Sequence, residues 1–171
     1  DLVVLGGGPG GYVAAIRAAQ LGMNVAIIEK EDRFGGTCLR VGCIPSKALL
    51  ESSHKYEIAT GELGQHGVVT QGVSLDLAVM MKRKADVVQT LSKGIEALLA
   101  KNKVAKIKGT GRLAGAGRVH VTSADGSLME VSAQRIILAV GSHSVILPGI
   151  ECDGSRVGTS TESLSLSLIH I

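Results

Sequence analysis

The chain has 171 residues, of which 45% are hydrophobic and 19% charged, and a formal net charge of +3. That length supports one good-sized core, and the composition is that of an ordinary soluble α/β protein. The charge is too small to argue for nucleic-acid binding, and no apolar run approaches the ~18 residues that a membrane span requires.

Asp1-Leu2-Val3-Val4-Leu5 leads directly into a glycine-rich turn and reads as a buried parallel strand, not a signal peptide. The chain begins at Asp1 and not at a methionine, so its natural start and any targeting segment are expected upstream. A helix is predicted from about Gly10 to Gly22, with Val13, Ala14, Ile16, Arg17 and Leu21 forming its stripe and Gly22 stopping it. Val25 to Glu29 is a second short apolar strand. Strand, helix and strand in that order imply a parallel sheet.

Gly35 to Cys43 reads as a glycine- and cysteine-rich loop, followed by a helix from about Pro45 to Ile58 and a turn-rich connection over 60–72. Ser74 to Asn102 is predicted as a long helix, N-capped by Ser74 and interrupted near Gly94. Its buried face is expected at Leu77, Met80, Met81, Val87, Val88, Leu91, Ile95 and Leu98. The basic runs at Lys82-Arg83-Lys84 and between Lys101 and Lys108 fall on helix and strand surfaces and read as solvated faces.

Beyond Lys103 the apolar period changes to two. Val104–Ile107, Arg118–Thr122 and Leu128–Val131, separated by Gly-rich or Asp-Gly turns, predict a small antiparallel meander. Ile136 to Val140 is predicted as a further buried strand ending at Gly141-Ser142. The final stretch, Ser163 to Ile171, shows no turn, cap or partner. No internal repeat is present.

Gly6, Gly8 and Gly11 have the G-x-G-x-x-G spacing between a predicted strand and a predicted helix. The first glycine permits a tight turn, the second lets a pyrophosphate approach the backbone, and the third lets helix pack on strand. The helix N-terminus then offers free N–H groups and a partial positive charge. Glu29 stands 18 residues after Gly11, where a carboxylate can accept hydrogen bonds from ribose hydroxyls. This fingerprint indicates a dinucleotide but does not separate FAD from NAD.

The three cysteines are an odd number without a secretory signature, which argues against a disulfide scaffold. Cys38 and Cys43 are five apart. In a regular helix such residues have Cα atoms roughly 8.7 Å apart, beyond the ~7 Å limit for a disulfide. If they bridge, the backbone must leave the helix between them, and Gly42 is the residue able to absorb the departure, with Pro45 near the start of the following helix. A bridge closing so short a loop adds little stability, so redox turnover is its better purpose. A zinc pair completed by His54 and His66, at a spacing that matches no common pattern, and two unpaired structural thiols are the competing readings. Cys152 stands apart as a free thiol.

The segment Gly35-Gly36-Thr37-Cys38-Leu39-Arg40-Val41-Gly42-Cys43-Ile44-Pro45-Ser46-Lys47 resembles the redox-active signature of the class I pyridine-nucleotide disulfide oxidoreductases. Ile44 to Leu50 is most similar to the dihydrolipoamide dehydrogenase branch, as is Thr159 to Leu166, which resembles the exit from the FAD domain in those enzymes. The likeness covers nearly the whole chain. It implies a Rossmann-like FAD-binding domain: a parallel sheet, a long helical insertion and a small antiparallel meander. It further implies that Cys38 and Cys43 form a redox disulfide, Cys38 as the interchange thiol and Cys43 as the thiol beside the flavin. Gly6, Gly8, Pro9, Gly10, Gly11, Glu29, Lys30, Gly36, Thr37, Cys38, Lys47, Gly111, Val140, Gly141 and Ser142 would contact FAD, and no metal is expected. Arg40 and Val140 depart from the family pattern, which more often has Asn at the first position and Thr or Ala at the second.

The resemblance implies an enzyme that oxidises protein-bound dihydrolipoamide and passes the electrons through the disulfide and FAD to NAD⁺. Its partner would be the lipoyl domain of a 2-oxo acid dehydrogenase or glycine cleavage complex. It would work as a homodimer in the cytoplasm, or in the mitochondrial matrix of a eukaryote, with neither nucleic acid nor membrane as partner. A mercuric- or glutathione-type NADPH-dependent reductase and a non-catalytic FAD-binding module are the alternatives. On this reading 1–162 is an incomplete FAD domain and 163–171 a foreign or truncated tail. The NAD-binding and dimerisation domains are absent, since no second glycine fingerprint follows Ile136 and none of the five histidines stands in the family's His-Glu motif.

Overall fold

The computed structural model describes residues 1–165. They fall into two compact units, one made of Asp1–Arg40 with Thr90–His143, the other of Val41–Gln89 with the chain from Ser144 onward.

The first unit is built on a four-stranded parallel sheet in the order β3-β2-β1-β7, where β1 is Leu2–Leu5, β2 Val25–Glu29, β3 Ala105–Lys108 and β7 Arg135–Leu138. Helix α1, Pro9–Gln20, crosses from β1 to β2 and packs on both. Its buried positions are Gly11, Ala15 and Ala18, whereas Val13 and Leu21 are exposed. The apolar stripe therefore misidentifies the packed face. Small side chains, not large ones, let the helix backbone approach the sheet.

An antiparallel sheet of β4 (Thr110–Leu113), β5 (Arg118–Thr122) and β6 (Leu128–Ser132) lies on the parallel sheet. Val3, Leu5 and Ile28 from the parallel sheet pack with Val119 and Val121 of β5, and all five are buried. By strand alternation Leu2, Val4, Val25 and Ile27 bury the other face. The expected meander is present, but its first strand is not Val104–Ile107. That segment is β3, paired in parallel with β2, and the meander begins at Thr110. Gly109, at φ 152, breaks the two strands apart, and a Cβ there would lie 2.7 Å from Thr122 O.

The expected buried strand at Ile136–Val140 is shorter and more open. It ends at Leu138, occupies a sheet edge, and leaves Leu138 57% exposed. An apolar run alone does not tell an edge strand from a central one.

Helix α4, Leu77–Lys101, runs unbroken through Gly94. Its N-cap is Asp76, whose Oδ1 accepts from Val79 N at 3.0 Å, so Ser74 does not cap it. Val88, Ser92, Ile95 and Leu99 are buried, whereas Leu91 and Leu98 are exposed. The expected face therefore holds at Val88 and Ile95 and partly at Leu77, Met80, Met81 and Val87, but Ser92 and Leu99 take the buried places expected of Leu91 and Leu98.

In the second unit, α3 spans Cys43–Glu57 and gives way to a π-helical turn over Ile58–Glu62 and a 3₁₀ turn over Leu63–His66. A single turn, α5 at Ser160–Ser163, is closed by a capping box between Thr159 and Glu162. Of the tail expected to be foreign, 166–171 lie outside the described residues.

Candidate functional site

The first unit turns sharply after β1. Gly6 N donates to Ile28 O and Ala139 N to Leu5 O, both at 2.8 Å. A Cβ on Gly11 would stand 1.8 Å from Gly6 O, and one on Gly6 would stand 2.2 Å from Ala139 O. Both glycines are thus demanded by backbone packing, and the second brings Val140 against the turn. Gly8 and Gly10 differ. Their nearest neighbours to a Cβ are at 3.6 and 3.9 Å, leaving the backbone open to an approaching group.

Gly8 is the N-cap of α1 and Pro9 the first helical residue, where a missing N–H is no loss. No side chain caps this helix and no acid occupies its first turn. Its free N–H groups and positive dipole end suit an anionic pyrophosphate. Glu29 ends β2 nearby, its Oε2 accepting from Gly7 N at 2.6 Å and its Oε1 from Glu31 N at 2.9 Å. Each oxygen keeps a lone pair for a ribose hydroxyl. The cradle therefore fits the adenosine diphosphate half that FAD shares with NAD.

Lys30 follows at the mouth of a cleft of about 410 Å³ that also involves Lys108, Thr110, Arg112 and Thr122. The Lys108 ammonium pairs with Asp32. Gly111 packs flat on the sheet, where a Cβ would meet Leu5 Cδ2 at 2.4 Å. Gly141 takes φ 69 just after Val140 and leads to Ser142.

The segment expected as a loop is instead a short helix, α2, at Gly36–Val41, and α3 opens at Cys43 itself. Gly42 between them has φ −146 and ψ −112, far from helical values, so the break falls where the spacing of the cysteines requires it. Cys38 and Cys43 are disulfide-bonded, and the remaining cysteine, Cys152, is free and exposed. That bridge sets aside both the zinc pair and the unpaired thiols. As first residue of α3, Cys43 sits at the positive end of a 15-residue helix, which favours its thiolate once the bridge opens.

The start of this segment touches the glycine turn. Gly35 N donates to Gly7 O at 2.9 Å, and a Cβ on Gly36 would stand 2.6 Å from Gly8 Cα. Gly36 is thereby brought to the cradle, and Thr37 and Cys38 follow it in the chain. Lys47 stands exposed one turn beyond Cys43 on α3, in the second unit. There, Arg83 donates to Ala48 O at 3.0 Å and steadies that helix.

Sequence reasoning missed two supports. Ser92 is 2% exposed and its Oγ donates to Phe34 O at 3.2 Å, just ahead of the redox segment. Its signal was a polar residue in phase with Val88, Ile95 and Leu99. Arg40, noticed only as a departure from the pattern, pairs with Glu31 at 3.2 Å.

The profile of the pyridine nucleotide-disulphide oxidoreductases matches residues 1–169. The chain belongs to that family. It is 49% identical over 169 residues to the mitochondrial dihydrolipoyl dehydrogenase of Dictyostelium discoideum, covering 99% of itself and 35% of that protein. It is 52% identical over 166 residues to dihydrolipoyl dehydrogenase 3 of Pseudomonas putida, covering 97% of itself and 36% of the relative. The chain therefore spans about a third of the length of these curated relatives. A solved structure, the HOCl-induced flavoprotein disulfide reductase RclA from Escherichia coli, shares the fold with a TM-score of 0.77. That likeness covers 97% of this chain and 34% of the other at 24% identity. No helix among the described residues is long and apolar enough to cross a membrane.

Proposed function

We propose that the protein to which this chain belongs is a dihydrolipoamide dehydrogenase acting on the lipoyl domain of a 2-oxo acid dehydrogenase or glycine cleavage complex. The observation that carries the proposal is the disulfide between Cys38 and Cys43, formed across the Gly42 break in a segment hydrogen-bonded to the glycine turn. The relatives named dihydrolipoyl dehydrogenase support the choice within the family.

Cys38 is the interchange thiol. A thiolate of the dihydrolipoyl group attacks Cys38 Sγ, the S–S bond breaks, and Cys43 leaves as a thiolate at the N-terminus of α3. The second dihydrolipoyl thiol then attacks the mixed disulfide, which releases oxidised lipoamide and the Cys38 thiol. Two electrons and two protons have left the substrate, and the disulfide has become a dithiol.

The backbone of Gly8, Pro9, Gly10 and Gly11 would hold the pyrophosphate of FAD and Glu29 its ribose, and the bound flavin would supply a two-electron acceptor between Cys43 and NAD⁺. Lys30, Gly36, Thr37, Gly111 and Val140-Gly141-Ser142 would complete its contacts, and the family likeness adds Lys47. The NAD⁺ site and the homodimer contact belong to the parts of the protein outside this chain.

Dihydrolipoamide-dependent reduction of NAD⁺ by the full-length protein, lost on Cys43→Ala with flavin retained, is the expected result. Preference for NADPH with oxidised glutathione or Hg²⁺ would overturn the substrate assignment and leave the redox disulfide standing.

A further inference from the structure

Helix α2 has six residues, too few to sustain itself in water. Its link to the preceding turn, Leu39 N to Gly35 O, is long at 3.4 Å. While the disulfide is closed, the bridge holds Cys38 in place. Once reduced, the segment depends on its remaining anchors, and two of them are the buried Leu39 and the ion pair from Arg40 Nη2 to Glu31 Oε2.

That pair ends a relay. Glu31 donates its N–H to Glu29 Oε1, and Glu29 Oε2 accepts the N–H of Gly7 in the glycine turn. The Arg40 side chain is 22% exposed and that of Glu31 44%, so the pair is only partly hydrated.

We propose that Arg40 is a positioning residue that, through Glu31, clamps the reduced Cys38 segment to the cofactor cradle and so keeps the dithiol poised to close. The inference rests on the redox reading of Cys38 and Cys43. Without the clamp, the reduced segment gains conformational freedom, the dithiol is favoured by entropy, and reoxidation becomes harder. The reaction is unchanged: the disulfide takes two electrons and two protons from the external thiol couple and gives two thiols.

The test equilibrates the full chain, in a Cys152→Ser background, with dithiothreitol buffers of graded oxidised-to-reduced ratio and counts thiols. Glu31→Gln and Arg40→Met should each shift the equilibrium about threefold toward the dithiol, a rise of about 14 mV at 29.6 mV per tenfold. Both variants should shift in the same direction, and the charge-swapped double variant Glu31→Arg with Arg40→Glu should restore the parent value. Far-UV circular dichroism and melting temperature separate this from loss of fold. A lower melting temperature with an unmoved thiol equilibrium would make the pair merely structural and overturn the proposal. Opposite shifts in the two variants would also overturn it, because a charge effect reverses sign where a lost clamp does not. A reducible disulfide indifferent to both substitutions defeats the clamp alone. A parent disulfide that resists reduction at every ratio defeats the redox reading and the clamp with it.

Discussion

Two neighbouring glycines should respond to the same substitution with opposite signs. In Gly11→Ala the new methyl carbon would lie 1.8 Å from Gly6 O. An ordinary carbon–oxygen contact is well above 3 Å, so backbone must move by more than 1 Å, and no rotamer relieves a clash between main-chain atoms. Overpacking of this kind costs about 3 kcal/mol or more. With a urea slope of about 2 kcal/mol per molar, the denaturation midpoint falls by about 1.5 M. Gly10→Ala meets nothing closer than 3.9 Å and sits in the first turn of α1, so it should stabilise by about 0.5 kcal/mol through the unfolded chain. The same methyl occupies the space open to a pyrophosphate, and flavin retention should drop about tenfold, worth ~1.4 kcal/mol. Urea titration followed by far-UV circular dichroism, with flavin binding followed by absorbance, reads both effects. A Gly11→Ala midpoint within about 0.3 M of the parent would refute the close-approach account. So would a Gly10→Ala chain that binds flavin normally.

Thiol titration of the oxidised native chain should find one reactive group, Cys152, and three after reduction; three before reduction would contradict the bridge. Glu29→Gln keeps one carbonyl oxygen where two carboxylate oxygens accept backbone N–H groups, and should weaken flavin binding about tenfold. Leu99→Ala should cost about 2–5 kcal/mol whereas Leu98→Ala, on the exposed face, should cost less than about 1, as read by urea midpoints. Backbone N–H groups of Ser155, Val157 and Arg156 hold the Asp153 carboxyl down to about 2 from 3.8. Because the folded value is depressed, the stabilisation is present above pH 3.8 and is lost as the pH falls through about 2. The amide resonances of those three residues should titrate with the lower midpoint; a midpoint near 3.8 would show that the turn does not hold its carboxylate.

The glycine turn after β1 was readable from sequence because Gly6 and Gly11 each have a steric reason, and strand, helix and acid fall at fixed offsets around it. The Gly42 break was readable because two cysteines five apart cannot bridge along a regular helix. The face of α4 was harder. Leu91 and Leu98 outrank Ser92 on any hydropathy scale, yet Ser92 is buried because its hydroxyl satisfies the Phe34 carbonyl. The role of Val104–Ile107 was hidden for a different reason. Period-two alternation fits an edge strand of the parallel sheet as well as a meander strand, and only the partner distinguishes them. The Arg40–Glu31 pair joins residues nine positions apart, one on α2 and one in the bend after β2, a contact that no periodicity announces.

The pairing of β1 with β7 places Leu2 opposite Arg135 and Leu5 opposite Leu138. During synthesis at ~5–20 residues per second, roughly 7 to 27 s separate translation of Leu5 from that of Leu138. For that interval an all-apolar strand has one hydrogen-bonding edge without its eventual neighbour, which makes it a template for pairing with another nascent chain. The order of translation, more than the native contacts, thus sets when this molecule is most exposed to aggregation, and holdase binding during that window should raise its soluble yield.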